Sequence, residues 1–326
     1  MVQQIQIAAA TPGAAERVKL GPTDITISPL GIGTWSWGDT LFWQYGQSHT
    51  EADVQQAFQA AMRAGINFYD TAEIYGSHRS ETLLGACVRA SGQPVVVATK
   101  FMPFPWRLGK GNLLKALRLS LDRLGLASVD LYQVHQPLPP IQPEVWMAGM
   151  ADAVEAGLVR AVGVSNYSAA WMRRSYAALA QRGLPLAANQ VEYSLLQRAP
   201  EHNGVLQACR ATGATLIAYS PLAMGILTGK YTPEHRPGGL RGMRYNAGYL
   251  ARVQPLIALL RETGAKHGKN PAQIALNWVI CKGAVPIPGA KNARQAEENA
   301  GALGWRLTDT EVAALDDMSE RVTAKG

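Results

Sequence analysis

The sequence predicts an α/β protein, a closed (β/α)8 barrel with an N-terminal β-hairpin and a long loop after its seventh strand. Three observations predict it. Eight short apolar runs, most of them introduced by a glycine, begin near residues 30, 66, 95, 129, 158, 186, 215 and 284. Most intervals are about 27 to 37 residues, the length of one strand–loop–helix–loop unit. The runs are continuously apolar, as in parallel strands covered on both faces. An open doubly wound sheet would more often show about five or six strands and a G-x-G-x-x-G after the first. Gly31-Ile32-Gly33-Thr34-Trp35-Ser36 departs from that pattern at its last position.

In chain order, residues 1–15 read as a loose tail; Met1 to Gly13 holds no Lys or Arg, so it lacks the basic start of a secretory signal. Arg17 to Leu20, the turn Gly21-Pro22 and Ile25 to Ile27 read as a hairpin able to plug the barrel's bottom. Leu30 to Gly33 is the first barrel strand. Thr50 is an N-cap, and Val54, Phe58, Ala61 and Met62 recur at helical spacing until Gly65. Ile66 to Tyr69 and Val95 to Ala98 follow as strands. Leu113, Leu114, Leu117, Leu121 and Leu124 form a helical stripe closed by Gly125, and Val129 to Val134 is the next strand. Leu158 to Val164, Leu186 to Ala188 and Thr215 to Ala218 continue the series, with Ser168 as a helix cap. Leu222 to Leu250 is rich in Gly, Pro and Arg without clear periodicity, the signature of a functional or disordered loop. Asn270-Pro271 caps a helix carrying Ile274, Trp278 and Cys281, and Gly283 ends it before Ala284 to Ile287. Thr308 to Met318 reads as a last capped helix, and residues 1–326 are expected to form one domain.

Composition excludes several classes. With 47% hydrophobic and 17% charged residues, the 326-residue chain is neither disordered nor a coiled coil as a whole. No run approaches the ~18 apolar residues of a membrane span, so no membrane partner is expected. Cys87, Cys209 and Cys281 are too few and too scattered for a disulfide framework or a zinc site; a cytoplasmic protein without a metal is expected. The net charge of +7 is dispersed rather than blocked, which argues against nucleic acid and suits a polyanionic cofactor.

Chemistry in such a barrel sits at the C-terminal ends of the strands. The residues there are Thr34-Trp35, Asp70, Lys100, His135, Ser165-Asn166, Asn189-Gln190, Tyr219-Ser220 and Pro288-Gly289, with Tyr75 five residues beyond Asp70. Asp, Lys and His at consecutive strand ends converge on one pocket. A lysine beside a phenol lowers its pKa, and an aspartate holds the lysine. Such a phenol can protonate a carbonyl oxygen as hydride reaches the carbon, while His135 orients that oxygen. None of these side chains supplies hydride, so a redox cofactor is required.

Asp70-Thr71-Ala72-Glu73-Ile74-Tyr75-Gly76, Gly163-Val164-Ser165-Asn166-Tyr167 and Ala218-Tyr219-Ser220-Pro221-Leu222 resemble signature segments of the aldo-keto reductase superfamily. Gly33-Thr34-Trp35, Val97 to Lys100, Leu131 to His135, Ile287 to Ala290 and Glu298-Asn299 fit as well, in family order over about residues 17 to 320. The resemblance implies Asp70, Tyr75, Lys100 and His135 as the catalytic set, with Tyr75 the proton donor, and NADPH or NADP+ as cofactor. It implies nicotinamide stacked on Tyr219 and held by Ser165, Asn166 and Gln190, in a site bordered by Thr34, Trp35, Asp70 and Pro221. Pyrophosphate would lie under Ser220, Leu222, Gly225 and Lys230. Adenosine and its 2′-phosphate would lie near Gly289, Lys291, Gln295, Glu298 and Asn299, with Arg241 matching a loop arginine of some branches.

Two departures narrow the resemblance. Gln136 follows His135 where many members have Trp, and Gly289-Ala290 follows Pro288 where many have Lys-Ser, with Lys291 one place on. This pattern is closer to branches holding pyridoxal or aldehyde reductases and potassium-channel β subunits. A small-molecule carbonyl substrate is expected in a pocket walled by Trp35, Trp43 and Trp106. The rival readings are an NADP(H)-binding regulatory subunit with little turnover, a Schiff-base aldolase using Lys100, and, third, a barrel glycosidase, whose required pair of strand-end carboxylates this sequence does not show.

Overall fold

The computed structural model describes residues 16–324, so the tail expected at 1–15 lies outside the described residues. The chain enters through an antiparallel hairpin, β1 (Val18–Lys19) and β2 (Thr26–Ile27). Eight parallel strands then follow in sequence order: β3 (Ile32–Gly33), β4 (Phe68–Asp70), β5 (Val96–Phe101), β6 (Val129–Val134), β7 (Val159–Ser165), β8 (Leu186–Glu192), β9 (Thr215–Tyr219) and β10 (Val285–Pro286). The ring closes where β10 returns to β3, with the N–H groups of Gly31 and Gly33 donating to Pro286 O and Pro288 O at 3.0 Å each. Glycine is required at that seam, since a Cβ on Gly33 would lie 2.8 Å from the Ile287 carbonyl oxygen. The molecule is a (β/α)8 barrel.

Helices cover the ring's outer face: α1 (Glu51–Arg63), α2 (Arg79–Ser91), α3 (Lys110–Leu124), α4 (Pro143–Glu155), α5 (Ala169–Ala180), α6 (Ala199–His202) and α7 (Val205–Thr212). After β9 come α8 (Gly239–Arg244), α9 (Ala247–His267), α10 (Pro271–Cys281), α11 (Ala293–Ala300) and α12 (Asp309–Thr323). The expected caps form. Thr50 with Asp53, Asn270 with Gln273 and Thr308 with Glu311 are reciprocal capping boxes, and Ser168 accepts from Trp171 N. No helix among the described residues is long and apolar enough to cross a membrane.

Two expectations need correction. Residues 222–250 are not loop throughout: a 3-10 turn spans Ala223–Thr228, α8 follows, and α9 has already begun before Leu250. Leu250, Val253, Leu256, Ile257 and Leu260 are its buried stripe, at helical spacing that Pro255 and the Gly-rich approach disguise. The last helix also outruns its expected end at Met318, reaching Thr323.

Two apolar layers result. The larger lies between strands and helices and includes Trp37, Phe58, Trp146, Leu256 and Trp278. The smaller fills the barrel itself, where Phe68, Ala98, Leu131, Ala161, Ala188 and Ile217 meet Leu20, Ile25 and Ile27 of the hairpin. The hairpin therefore plugs the N-terminal end, as expected. Side chains alternate along a strand, so two residues above that apolar floor the same face carries Asp70, Lys100, Gln133, Gly163 and Gln190.

Candidate active site

Asp70 ends β4, Lys100 lies one residue short of the end of β5, and His135 follows β6. Tyr75 opens the 3-10 turn Tyr75–His78 that carries the chain from β4 to α2. Lys100 Nζ is the hub: it donates to Asp70 Oδ1 at 2.5 Å, Thr71 O at 2.8 Å and the Tyr75 hydroxyl at 3.3 Å. Both Lys100 and Asp70 are fully buried. Asp70 Oδ2 accepts from Gln190 Nε2 at 2.8 Å and Gln133 Nε2 at 3.2 Å. The His135 ring stands edge-on to Tyr75 with centroids 5.7 Å apart.

The electrostatics follow from this packing. Burial alone would lower the Lys100 pKa, but the Asp70 carboxylate and the Tyr75 oxygen more than offset it, and the ammonium is held above its ordinary value. At the Tyr75 phenol the lowering by Lys100 meets an opposing effect. Burial raises its pKa by more than Lys100 lowers it, so the net shift is upward and the phenol keeps its proton. Burial, then the Lys100 charge, push His135 down to about 3, so its ring is neutral. His135 Nδ1 is buried without a hydrogen-bond partner. The constellation is a protonated phenol backed by a cation, beside a neutral imidazole, an arrangement chemically able to offer a proton and a hydrogen bond to one acceptor atom.

Beside it runs a cradle of polar groups. Ser165 Oγ donates to Gln190 O at 3.0 Å, Asn166 Nδ2 to Ser165 Oγ at 3.1 Å, and the Tyr219 hydroxyl to Asn166 Oδ1 at 3.0 Å. Beyond Tyr219 the backbone of Ser220, Ala223, Met224 and Gly225 adopts positive φ, curling the segment of Pro221 and Leu222 into a tight turn. Lys230, Arg241 and Lys291 form a further group. Arg241 and Lys291 lie 5.3 and 5.2 Å from the Trp43 ring, and Lys291 Nζ donates to Trp43 O and Ser48 Oγ. Burial first, then Arg241 and Lys230, depress Lys291 to about 8. Ser36 Oγ and Trp43 Nε1 are buried without a partner. Cations that repel one another and orphaned buried donors fit a polyanion laid across the barrel top; a dinucleotide phosphate chain has that charge.

The remaining expected residues divide. Gln295 Oε1 accepts from Lys291 N at 2.9 Å, and Asn299 Nδ2 donates to Gly289 O at 3.2 Å, so these border the same end. Glu298 pairs with Arg294. Thr34 is not in the cradle through its side chain: its hydroxyl is buried against Ser80 Oγ at 2.7 Å and Asp70 O at 3.0 Å. Trp35 stacks on Phe42 and lies 6.3 Å from the Tyr75 ring. Trp43 packs edge-on to Trp35 but sits on the cationic side. Trp106 stacks on Phe104 and is 74% exposed.

Three residues near the site carry little signal in the sequence. Gln133 is masked inside an apolar run, although its place two before His135 puts it on the same face. Glu73 and Arg107 form a two-pronged ion pair at 2.7 and 3.1 Å, and Glu73 Oε1 also accepts from Met102 N, tying the loop after β5 to the loop after β4. Glu73 lies between Asp70 and Tyr75, but nothing local in the sequence indicates its partner.

Known proteins resemble this chain along most of its length. A model of the aldo/keto reductase family matches residues 29–320. A chloroplastic pyridoxal reductase of Arabidopsis thaliana is 43% identical over 314 residues, covering 92% of this chain and 85% of that one. An NADP(+) aldo-keto reductase of Schizosaccharomyces pombe is 32% identical over 319 residues, covering 92% and 91%. Among solved structures, a glycerol dehydrogenase of Gluconobacter oxydans superposes with a TM-score of 0.83 at 26% identity, covering 96% of this chain and 98% of that one. The chain belongs to the aldo/keto reductase family and is an oxidoreductase.

Proposed function

We propose that this oxidoreductase reduces an aldehyde or ketone with NADPH, and that Tyr75 delivers the proton. The observation that carries the reading is Lys100 Nζ bonded at once to Asp70, Thr71 O and Tyr75. NADPH, when bound, supplies the hydride. Ser165, Asn166 and Gln190 hold the nicotinamide carboxamide and Tyr219 supports the ring. Ser220, Leu222, Gly225 and Lys230 take the pyrophosphate, while Lys291 and Arg241 take the 2′-phosphate. Tyr75 and His135 orient the carbonyl oxygen. Tyr75 gives its proton to that oxygen as the carbon is reduced, and the charged Lys100 stabilises the phenolate left behind.

The raised Lys100 pKa opposes an aldolase, which needs a neutral amine. Trp35 forms one wall of the substrate pocket and Trp43 closes the cofactor side. The Arabidopsis relative's name puts pyridoxal first among the aldehydes to try. The test is NADPH consumption across aromatic aldehydes, pyridoxal and aliphatic ketones, with cofactor binding followed by fluorescence. Turnover of one class is expected. Tight NADPH binding with no turnover of any carbonyl would replace this reading with a regulatory subunit.

A further inference from the structure

Gln133 is fully buried and has no part in the reaction outlined above. A buried carboxamide is costly unless its hydrogen bonds are made, and here they are directed at one group. Nε2 donates to Asp70 Oδ2 at 3.2 Å, and Oε1 accepts from Gln190 Nε2 at 3.4 Å. The two Asp70 oxygens are thus divided, Oδ1 on Lys100 and Oδ2 on two carboxamides. The neighbouring strand makes room for this. Gly163 is the register partner of Gln133. A Cβ on Gly163 would lie 3.0 Å from Gln133 Cγ and 3.2 Å from both Ala188 O and Leu131 Cδ1. Gly163 is not among the residues with positive φ, so its backbone would accept alanine; it is the space that calls for glycine.

We propose that Gln133, seated by Gly163, is a positioning residue that holds the Asp70 carboxylate against Lys100 and so sets Tyr75 for proton delivery. The proposal rests on the reductase reading. A terminal carboxylate torsion is soft, and Gln190 is also the residue assigned to the nicotinamide carboxamide. Gln133 keeps Asp70 anchored when Gln190 takes up that second task. The titratable groups around the cluster are Asp70 from β4, Tyr75 from the turn after it, Lys100 from β5, His135 at the end of β6 and Tyr219 at the end of β9. β7 and β8 contribute the uncharged Gly163, Ser165 and Gln190.

Two substitutions separate positioning from filling space. Gln133→Met keeps length and volume but loses the donor; Gln133→Glu has a donor only while its carboxyl is protonated. For Gln133→Met, kcat is expected to fall roughly tenfold or more, with the carbonyl KM and the NADPH Kd within about twofold of wild type. For Gln133→Glu, the adjacent Asp70 carboxylate favours the protonated acid. Its kcat should approach wild type in mild acid and fall as pH rises. The 15N resonance of Lys100 Nζ gives a readout independent of turnover: its titration should move to lower pH in Gln133→Met. Wild-type kcat in Gln133→Met with an unmoved Lys100 titration would overturn the proposal and leave the reductase reading intact. If wild-type protein turns over no carbonyl, the reductase reading fails, and the Lys100 titration still decides whether Gln133 holds Asp70.

Discussion

Tyr75 owes its proposed chemistry to Lys100, a residue 25 positions along the chain that reaches it from the next strand. Burial makes the phenol a poor acid in isolation, and only the fixed ammonium makes its anion tolerable as the proton leaves. Tyr75→Phe should therefore lower kcat about 100- to 10,000-fold while NADPH binding stays nearly intact, as measured by turnover and fluorescence titration. Lys291 carries a second prediction. Its pKa in the free protein is about 8, depressed by burial and by its cationic neighbours. A phosphate favours the ammonium, so binding takes up a proton once pH exceeds that value, and NADPH affinity falls as pH rises through it. Titrations on either side should show the loss in wild type and not in Lys291→Met. A flat wild-type profile would detach Lys291 from the phosphate.

At the scale of elements, α12 is held to the barrel by a cluster of charges rather than by its apolar stripe alone. Arg198 and Lys282 share Glu201 and Asp316, and Tyr193 and Trp278 donate to those two carboxylates at 2.8 and 2.9 Å. Burial by itself would raise the Glu201 pKa, but the bonds from Arg198, Lys282 and Tyr193 bring it down to about 2. That folded value lies below the ~4.3 of an unfolded glutamate. The contribution to stability is therefore complete above pH ~4.3 and is lost as pH falls from there toward about 2. Thermal unfolding should show this acid slope in wild type. Glu201→Gln should flatten it and cost about 1–3 kcal/mol near neutrality. An unchanged slope would mean that other carboxylates govern acid unfolding.

For the whole molecule, the barrel interior is stacked in levels: hairpin plug, apolar floor, then the polar layer around Lys100. Leu20 is completely buried in the plug. Leu20→Ala should cost about 2–5 kcal/mol through the cavity it leaves, yet kcat at a permissive temperature should hold, because the floor separates plug from site. Chemical denaturation with parallel kinetics checks both halves; a kcat loss matching the stability loss would show that the levels are coupled.

The strand–helix period, the capping residues and the glycines that end helices are all legible in the sequence, because they depend on neighbours within one turn or one strand pair. Thr50, Ser168, Asn270 and Thr308 sit where their chemistry places them. So do the residue types at strand ends, Asp70, Lys100 and His135, since the order of strands brings consecutive ends together. Tertiary structure decided the rest. It set the direction of the Tyr75 shift, which depends on how much water is excluded. It aimed Gln133 at Asp70, moved Trp43 to the cationic side, and left Trp106 outward. Helix α9 shows its stripe only once Pro255 is seen to be tolerated. Periodicity reports which face of an element is buried; desolvation and the choice of partner depend on side chains arriving from strands far away in sequence.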